Sequence, residues 1–77
     1  MTSTATTLEL AISDFDFEDE PDLMHQALET VWEFASGIGA EIDAEVQTIS
    51  FRDDAVVVGI SGHYVEVGLF NRRWFEE

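Results

Sequence analysis

One amphipathic stretch, residues 21 to 38, limits the folds open to this chain more than any other feature. Its apolar residues return at helical spacing and fall within a stripe about 140° wide at 100° per residue. Pro21 suits the first turn, Asp19 or Glu20 can cap the start, and Gly39 can end the helix. The stripe consists of Leu23, Met24, Ala27, Leu28, Val31, Phe34, Ala35 and Ile38, with Trp32 at its edge. Because one such helix covers only one face of a sheet, a helix-on-sheet fold is predicted.

Apolar and polar residues alternate on both sides of this helix, as in half-buried strands. The first strand is predicted to begin at Leu8 and to bend, bulge or end near Ser13, where the alternation slips. A second alternating stretch runs from Glu41 to Thr48. Both segments therefore read as strands that flank the helix in the chain.

Two further strands are predicted after the helix. The third covers residues 55–60 and follows a turn at Arg52-Asp53-Asp54, and the fourth runs from His63 to Phe70 after a turn at Ser61-Gly62. The short connections favour antiparallel pairing. The predicted fold class is therefore α+β with the order βαβββ, one amphipathic helix packed on one face of a mainly antiparallel four-stranded sheet.

The length of 77 residues allows one hydrophobic core, so residues 1–77 are predicted to form a single domain. Residues 1–6 are expected to be a flexible leader and residues 71–77 a C-terminal tail. Trp74 and Phe75 in this tail are predicted to close the edge of the core, and homodimerisation through them is the alternative. A monomer is expected.

The charge balance indicates which classes of partner the chain can bind. There are 17 Asp and Glu residues against three arginines, Arg52, Arg72 and Arg73, and no lysine, which gives a formal net charge of −14. Such a charge repels nucleic acids and anionic membranes, and it attracts basic proteins. The sequence therefore excludes direct nucleic-acid and membrane binding and favours a basic protein partner.

The location follows from what the sequence lacks. No apolar run approaches the roughly 18 to 20 residues that span a bilayer, and the N-terminus lacks the basic and apolar regions of a signal peptide. There is no cysteine, so thiolate metal sites and disulfides are excluded. A cytoplasmic protein is expected.

Catalytic and metal-binding patterns are also missing. The acidic run that begins at Asp14 partly matches a calcium loop, but its sixth position is Asp19 instead of Gly and its twelfth is His25 instead of Glu. His25 and His63 do not have a metal-site spacing, and no nucleophile stands beside a base. The chain is therefore predicted to be neither an enzyme nor a metalloprotein, and no cofactor is expected.

The acidic residues themselves form ordered rows. Residues 41, 43 and 45 share one side of a strand at steps of about 6.6 Å. Residues 22, 29 and 33 share about 40° of the helix surface. With the acidic run before the helix, these rows approach the charge density of a DNA backbone, which carries one charge per ~3.4 Å of each strand. The predicted partner-binding residues are Asp14, Asp16, Glu18, Asp19, Glu20, Asp22, Glu29, Glu33, Glu41, Asp43 and Glu45.

Adaptation to a salt-rich cytoplasm is the alternative explanation of the same composition. High salt screens the repulsion between carboxylates that otherwise destabilises a compact acidic protein. In that case the chain is a small structural or regulatory domain without mimicry, and its acidic rows are a solvated surface.

In size, acidity, single-helix α+β order and lack of catalytic groups, the chain resembles the small phage-encoded inhibitors that imitate DNA, anti-CRISPR proteins in particular. The resemblance covers the whole chain through composition and rests on the acidic rows, without a signature motif. It implies a non-enzymatic inhibitor that occupies the DNA- or guide-binding surface of a CRISPR effector complex and blocks target DNA binding.

Overall fold

The computed structural model describes residues 2–76. The first strand, β1, is followed by a short 3₁₀ turn and the long helix α1. A hairpin of two strands and a second helix complete the chain. The bounds are β1 Ser3–Ala11, the 3₁₀ turn Ile12–Asp14, α1 Glu20–Ile38, β2 Asp43–Ser50, β3 Ala55–His63 and α2 Tyr64–Glu76.

The three strands form one antiparallel sheet in the order β1-β3-β2. The central strand β3 pairs with β1 in a regular register in which Leu8 lies opposite Val58. Its pairing with β2 shifts between Val46 and Thr48, so that Gln47 forms a bulge. Both β1 and β2 are therefore edge strands, and only β2 is interrupted.

Both helices pack on the same face of the sheet, and the opposite face is open. α1 packs mainly on β2, and α2 packs on β3 and β1. The two helices meet through Phe34, whose ring contacts those of Phe70 and Trp74 edge-on with centroids 5.2 and 5.1 Å away. The buried core residues are Leu8, Ile12, Leu23, Ala27, Val31, Ala35, Ala40, Val56, Val58, Ile60, Val67 and Phe70. No polar or charged residue within the described chain is buried.

The predicted central helix is confirmed in position and in its end signals. The Asp19 carboxylate caps its N-terminus by accepting a hydrogen bond from the Asp22 amide at 2.9 Å. Gly39 ends it in the left-handed conformation with φ of 73°. The buried positions recur at four-residue intervals from Leu23 to Ala35, as the apolar stripe predicts. Local sequence alone therefore defines this element.

The four-stranded βαβββ sheet is wrong: the sheet has three strands, and the chain has two helices. In the segment predicted as the fourth strand, His63 to Phe70, His63 ends β3 and residues 64–70 form the first half of α2. A strand there would divide Val67 and Phe70 between opposite faces. The helix buries both and brings Trp74 to the same side, because these residues are three and four positions apart.

The turn predicted at Ser61-Gly62 is also wrong, because both residues lie inside β3. Gly62 has an extended backbone with φ of 153°, a conformation that side chains rarely allow. A Cβ atom at this position would lie 3.4 Å from the Glu41 carbonyl oxygen. Glycine at position 62 therefore allows β3 to lie close to the residue before β2, and it does not mark a turn.

Regular secondary structure reaches into the segments predicted as a leader and a tail. β1 begins at Ser3, inside the segment predicted as a flexible leader, and the Tyr64 amide donates to the Thr2 carbonyl at 3.1 Å. α2 extends to Glu76 through the segment predicted as a tail. Met1 and Glu77, which belong to those two segments, lie outside the described residues.

Of the two aromatic residues near the C-terminus, only one closes the core edge as expected. Trp74 stacks on Phe70 at 5.5 Å, while Phe75 is 70% exposed. Neither helix of the described chain is long and apolar enough to cross a membrane.

Candidate acidic binding surface

The acidic segment before α1 is fixed along the side of that helix. The Gln26 side-chain amide donates to the Asp16 carbonyl at 2.7 Å. Phe15 lines the same shallow depression as Glu29 and Glu33 of α1. The exposed carboxylates at positions 14, 16 and 18 therefore lie beside the acidic face of the helix, so the structure brings these two predicted groups together.

Two of the predicted binding residues have local structural roles. Asp19 caps α1, and the Asp22 carboxylate accepts hydrogen bonds from the Glu18 amide at 3.1 Å and the Gln26 side chain at 3.2 Å. Asp22 is also half-buried. These two carboxylates order the start of the helix, where negative charge is favourable, and are less free to contact a partner.

The solvent face of α1 carries exposed charge with little compensation. Glu33 is exposed, and Glu29 lies 3.0 Å from His25 Nε2, with both side chains more than half exposed. Within residues 2–76 this is the one pair of potentially opposite charges within 4.0 Å, and it exists only when the histidine is protonated. Exposed pairs of this kind contribute little stability.

The strand row lies on the open face of the sheet. Asp43 and Glu45 are exposed and pair with Ser61 and Gly59 of β3, so their side chains project away from the helices. Glu41 is exposed just before β2. The predicted alternation of this segment is thus confirmed over the first half of β2 and ends at the bulge.

A groove at the C-terminal end of α1 joins the strand row to the helix. It is lined by Trp32 and Ser36 from the helix and by Glu41 and Asp43 from the row, and its volume is about 690 Å³. The segment before α1 and the helix face thus belong to the helix layer, the strand row belongs to the open face of the sheet, and the groove connects the two. We name this set the acidic belt: Asp14, Asp16, Glu18, Glu20, Glu29, Glu33, Glu41, Asp43 and Glu45.

Two of the three arginines lie away from the belt. Arg72 and Arg73 are exposed on α2, which packs over β3 and β1 and not over the edge strand β2. Arg52 is exposed in the β2–β3 hairpin, next to Phe51, whose ring lies 6.3 Å from that of Phe17 in the acidic segment. No arginine in the described part of the chain lies within salt-bridge distance of a carboxylate. The charges of the belt are thus not neutralised by the protein itself.

Sequence patterns alone did not identify the aromatic residue of this surface. Trp32 lies at the edge of the apolar stripe, but in the structure it is 47% exposed and lines the groove. Its signal was present in the sequence, because the angular position of Trp32 on the helix falls between the core stripe and the acidic face.

Metal ligation is not supported by the arrangement of the carboxylates. Between residues 2 and 76, no three His, Asp or Glu side chains are grouped closely enough to hold a metal ion.

Comparison of the chain with protein-family models, curated proteins and solved structures found no match.

Proposed function

We propose that this protein binds, through its acidic belt, the nucleic-acid-binding surface of a basic protein and inhibits it without catalysing a reaction. The observation that carries the proposal is the uncompensated charge of the belt, on which no carboxylate has an arginine partner. A field of this kind draws in basic surfaces and raises their association rate. Lysine and arginine side chains that normally hold phosphates are the complementary groups.

The spacing of the belt supports mimicry of a phosphate backbone. Asp43 and Glu45 are separated by about 6.6 Å along β2. Glu29 and Glu33 are separated by about 6 Å along the axis of α1. Each row has about half the charge density of a DNA strand, which carries one charge per ~3.4 Å. The two rows, which the groove at the end of α1 connects, together offer a basic surface a comparable total charge.

The resemblance to anti-CRISPR proteins suggests a particular partner. A CRISPR effector complex holds its nucleic acids in positively charged channels that recognise shape and backbone charge. A folded acidic domain with a longest dimension of 39 Å is small enough to occupy part of such a channel. The inhibition would take place in the cytoplasm of the host cell.

The test is target binding by guide-loaded CRISPR effector complexes. A labelled target duplex is titrated with each complex of a panel, with and without this protein, and bound DNA is measured by mobility shift. For a susceptible complex we expect target binding to be lost near a one-to-one ratio. The double variant Asp43→Lys/Glu45→Lys is expected to inhibit at least about ten-fold more weakly, because like charges across an interface cost several kcal/mol.

The matched control is Glu66→Lys/Glu76→Lys, which changes the net charge equally but lies outside the belt. Both replaced residues are on α2, which packs over β3 and β1. The control is expected to retain inhibition. Equal inhibition by the two variants would remove the belt as the binding surface, and a wild-type protein that inhibits no complex of the panel would contradict the proposed partner.

A further inference from the structure

The groove at the end of α1 differs from the rest of the belt because it combines concave shape with an aromatic wall. Trp32 and Ser36 form its helical side, and Ser61 and Gly62 of β3 form its floor region. Glu41 and Asp43 complete the lining. The depression beside Glu29 and Glu33 is smaller, at about 240 Å³, and its one aromatic residue, Phe15, is half-buried.

The aromatic wall is available for contact. Trp32 leaves 47% of its surface exposed although it belongs to the helix that covers the sheet. Tryptophan is enriched among the residues at the centres of interfaces that contribute most to binding. The indole is also the aromatic ring that attracts cations most strongly over its face.

Three sources of negative potential meet at this groove. Glu41 and Asp43, which both line the groove, contribute two negative charges. The third is the C-terminus of α1, whose last turn contains no basic residue and whose dipole favours a cation. The cap at Gly39, where the Ala40 amide donates to the Ala35 carbonyl at 2.9 Å, turns the chain sharply enough to place Glu41 beside the helix end.

We infer that this groove accepts an arginine side chain of the partner protein, with the guanidinium stacked on Trp32 and its charge balanced by Glu41 and Asp43. The inference rests on the proposed function and names the anchor point of its interface. Charge complementarity selects a cation, and the flat indole wall selects arginine over lysine. A guanidinium stacks on aromatic faces and presents several donors to carboxylates, whereas an ammonium is a compact and strongly hydrated charge.

The test uses N-acetylarginine amide as the probe, titrated at constant ionic strength into the ¹⁵N-labelled protein. We expect saturable NMR shifts concentrated on the Trp32 indole and on the amides of Ser36, Glu41 and Gly62. N-acetyllysine amide is expected to bind at least about three-fold more weakly. Trp32→Ala is expected to weaken arginine binding about five-fold or more, since the cation–π contact is lost.

The control is Phe75→Ala, which removes an aromatic side chain that is exposed outside the groove. Its affinity for the probe should equal that of the wild type. A second test that does not touch the helix is Glu41→Gln/Asp43→Asn, compared with Glu9→Gln/Glu76→Gln, which has the same net charge. Only the first pair should weaken binding. Absence of saturable shifts, or equal affinity of Trp32→Ala and wild type, would overturn the groove as an arginine site.

The failure of this inference and that of the proposed function are distinguishable. If the groove does not bind the probe but Asp43→Lys/Glu45→Lys still loses inhibition of an effector complex, the belt remains the interface and the arginine site is rejected. If the groove binds the probe but both charge variants inhibit equally, the arginine site stands and the proposed function is rejected.

Discussion

At the scale of single residues, Asp54 joins the β2–β3 hairpin to the turn that follows β1. It is the one residue other than glycine in the described chain with a positive φ, at 55°. Its carboxylate accepts hydrogen bonds from the Ser13 amide at 3.0 Å and the Ser13 hydroxyl at 2.9 Å. Its carbonyl accepts from the Ile12 amide at 3.1 Å. With this left-handed backbone, Asp54 accepts three hydrogen bonds from the turn that follows β1.

Replacing Asp54 by alanine is expected to lower the free energy of unfolding by about 2 kcal/mol, because alanine disfavours a left-handed backbone and leaves Ser13 without its acceptor. Asp54→Asn is expected to be close to wild type, since asparagine tolerates this conformation and keeps an acceptor. Urea unfolding of the two variants measures the difference. Because both remove one charge, equal stabilities would show that the hydrogen bonds and the backbone preference contribute nothing.

The sequence predicts which acidic residues are exposed, but it does not predict which of them form hydrogen bonds within the protein. Exposure of Glu29, Glu33 and Glu45 follows from periodicity, and the structure confirms it. The capping role of Asp19 also followed from sequence, whereas the second role of Asp22 depends on how residues 16 to 18 fold back along α1. Trp32 could not be assigned to a groove, because the groove forms only when β2 and β3 lie beside the helix end.

At the scale of elements, the ambiguous segment is the one that follows β3. Val65, Val67 and Leu69 alternate as in a strand, while Val67, Phe70 and Trp74 are spaced as in a helix. The decision comes from tertiary packing, since α1 lies mainly over β2 and leaves the β1–β3 part of the sheet face uncovered. A helix covers that part and joins Phe34 in an aromatic cluster. The need to cover this part of the sheet cannot be predicted from the local pattern of apolar residues.

The helical state of this segment is testable with Gly68→Ala. Gly68 is exposed within α2, and a Cβ atom there would meet nothing within 4 Å. Because alanine is favoured over glycine inside a helix, the substitution should raise the stability by about 0.5–1 kcal/mol. Thermal unfolding followed by circular dichroism gives the measurement. A loss of stability would argue against a helix at this position.

The companion substitution for that experiment is Gly39→Ala at the C-terminus of α1. Open space surrounds this position too, but its φ of 73° disfavours any side chain. The same chemical change is therefore expected to lower the stability by about 1 kcal/mol.

At the scale of the whole molecule, charge is unevenly distributed. The acidic belt follows α1 and β2, while two of the three arginines lie on α2 with exposed Val65 and Phe75 nearby on the same helix. The composition could be read from the sequence, but this separation could not, because it depends on which helix covers which strand. The negative charge is therefore concentrated on the segment before α1, on α1 and on β2.

Thermal melts from roughly 20 mM to 3 M NaCl separate an acidic interface from salt adaptation, since the Debye length falls from about 20 Å to about 2 Å over this range. We expect cooperative unfolding in dilute buffer and a modest rise of Tm with salt, because the core does not depend on screening. A chain that folds only near molar salt would instead support the salt-adapted domain and weaken the case for mimicry.

The strand order also determines when the protein can fold. The central strand β3 pairs with β2, its partner in the adjacent hairpin, and with β1, which lies much earlier in the chain. In the second pairing, Leu8 lies opposite Val58. Hairpin and α1 contacts are local, but closing the loop to β1 carries a larger entropic cost and slows folding. During synthesis, the N-terminal strand of a nascent chain is therefore expected to stay unpaired until nearly all of β3 has left the ribosome.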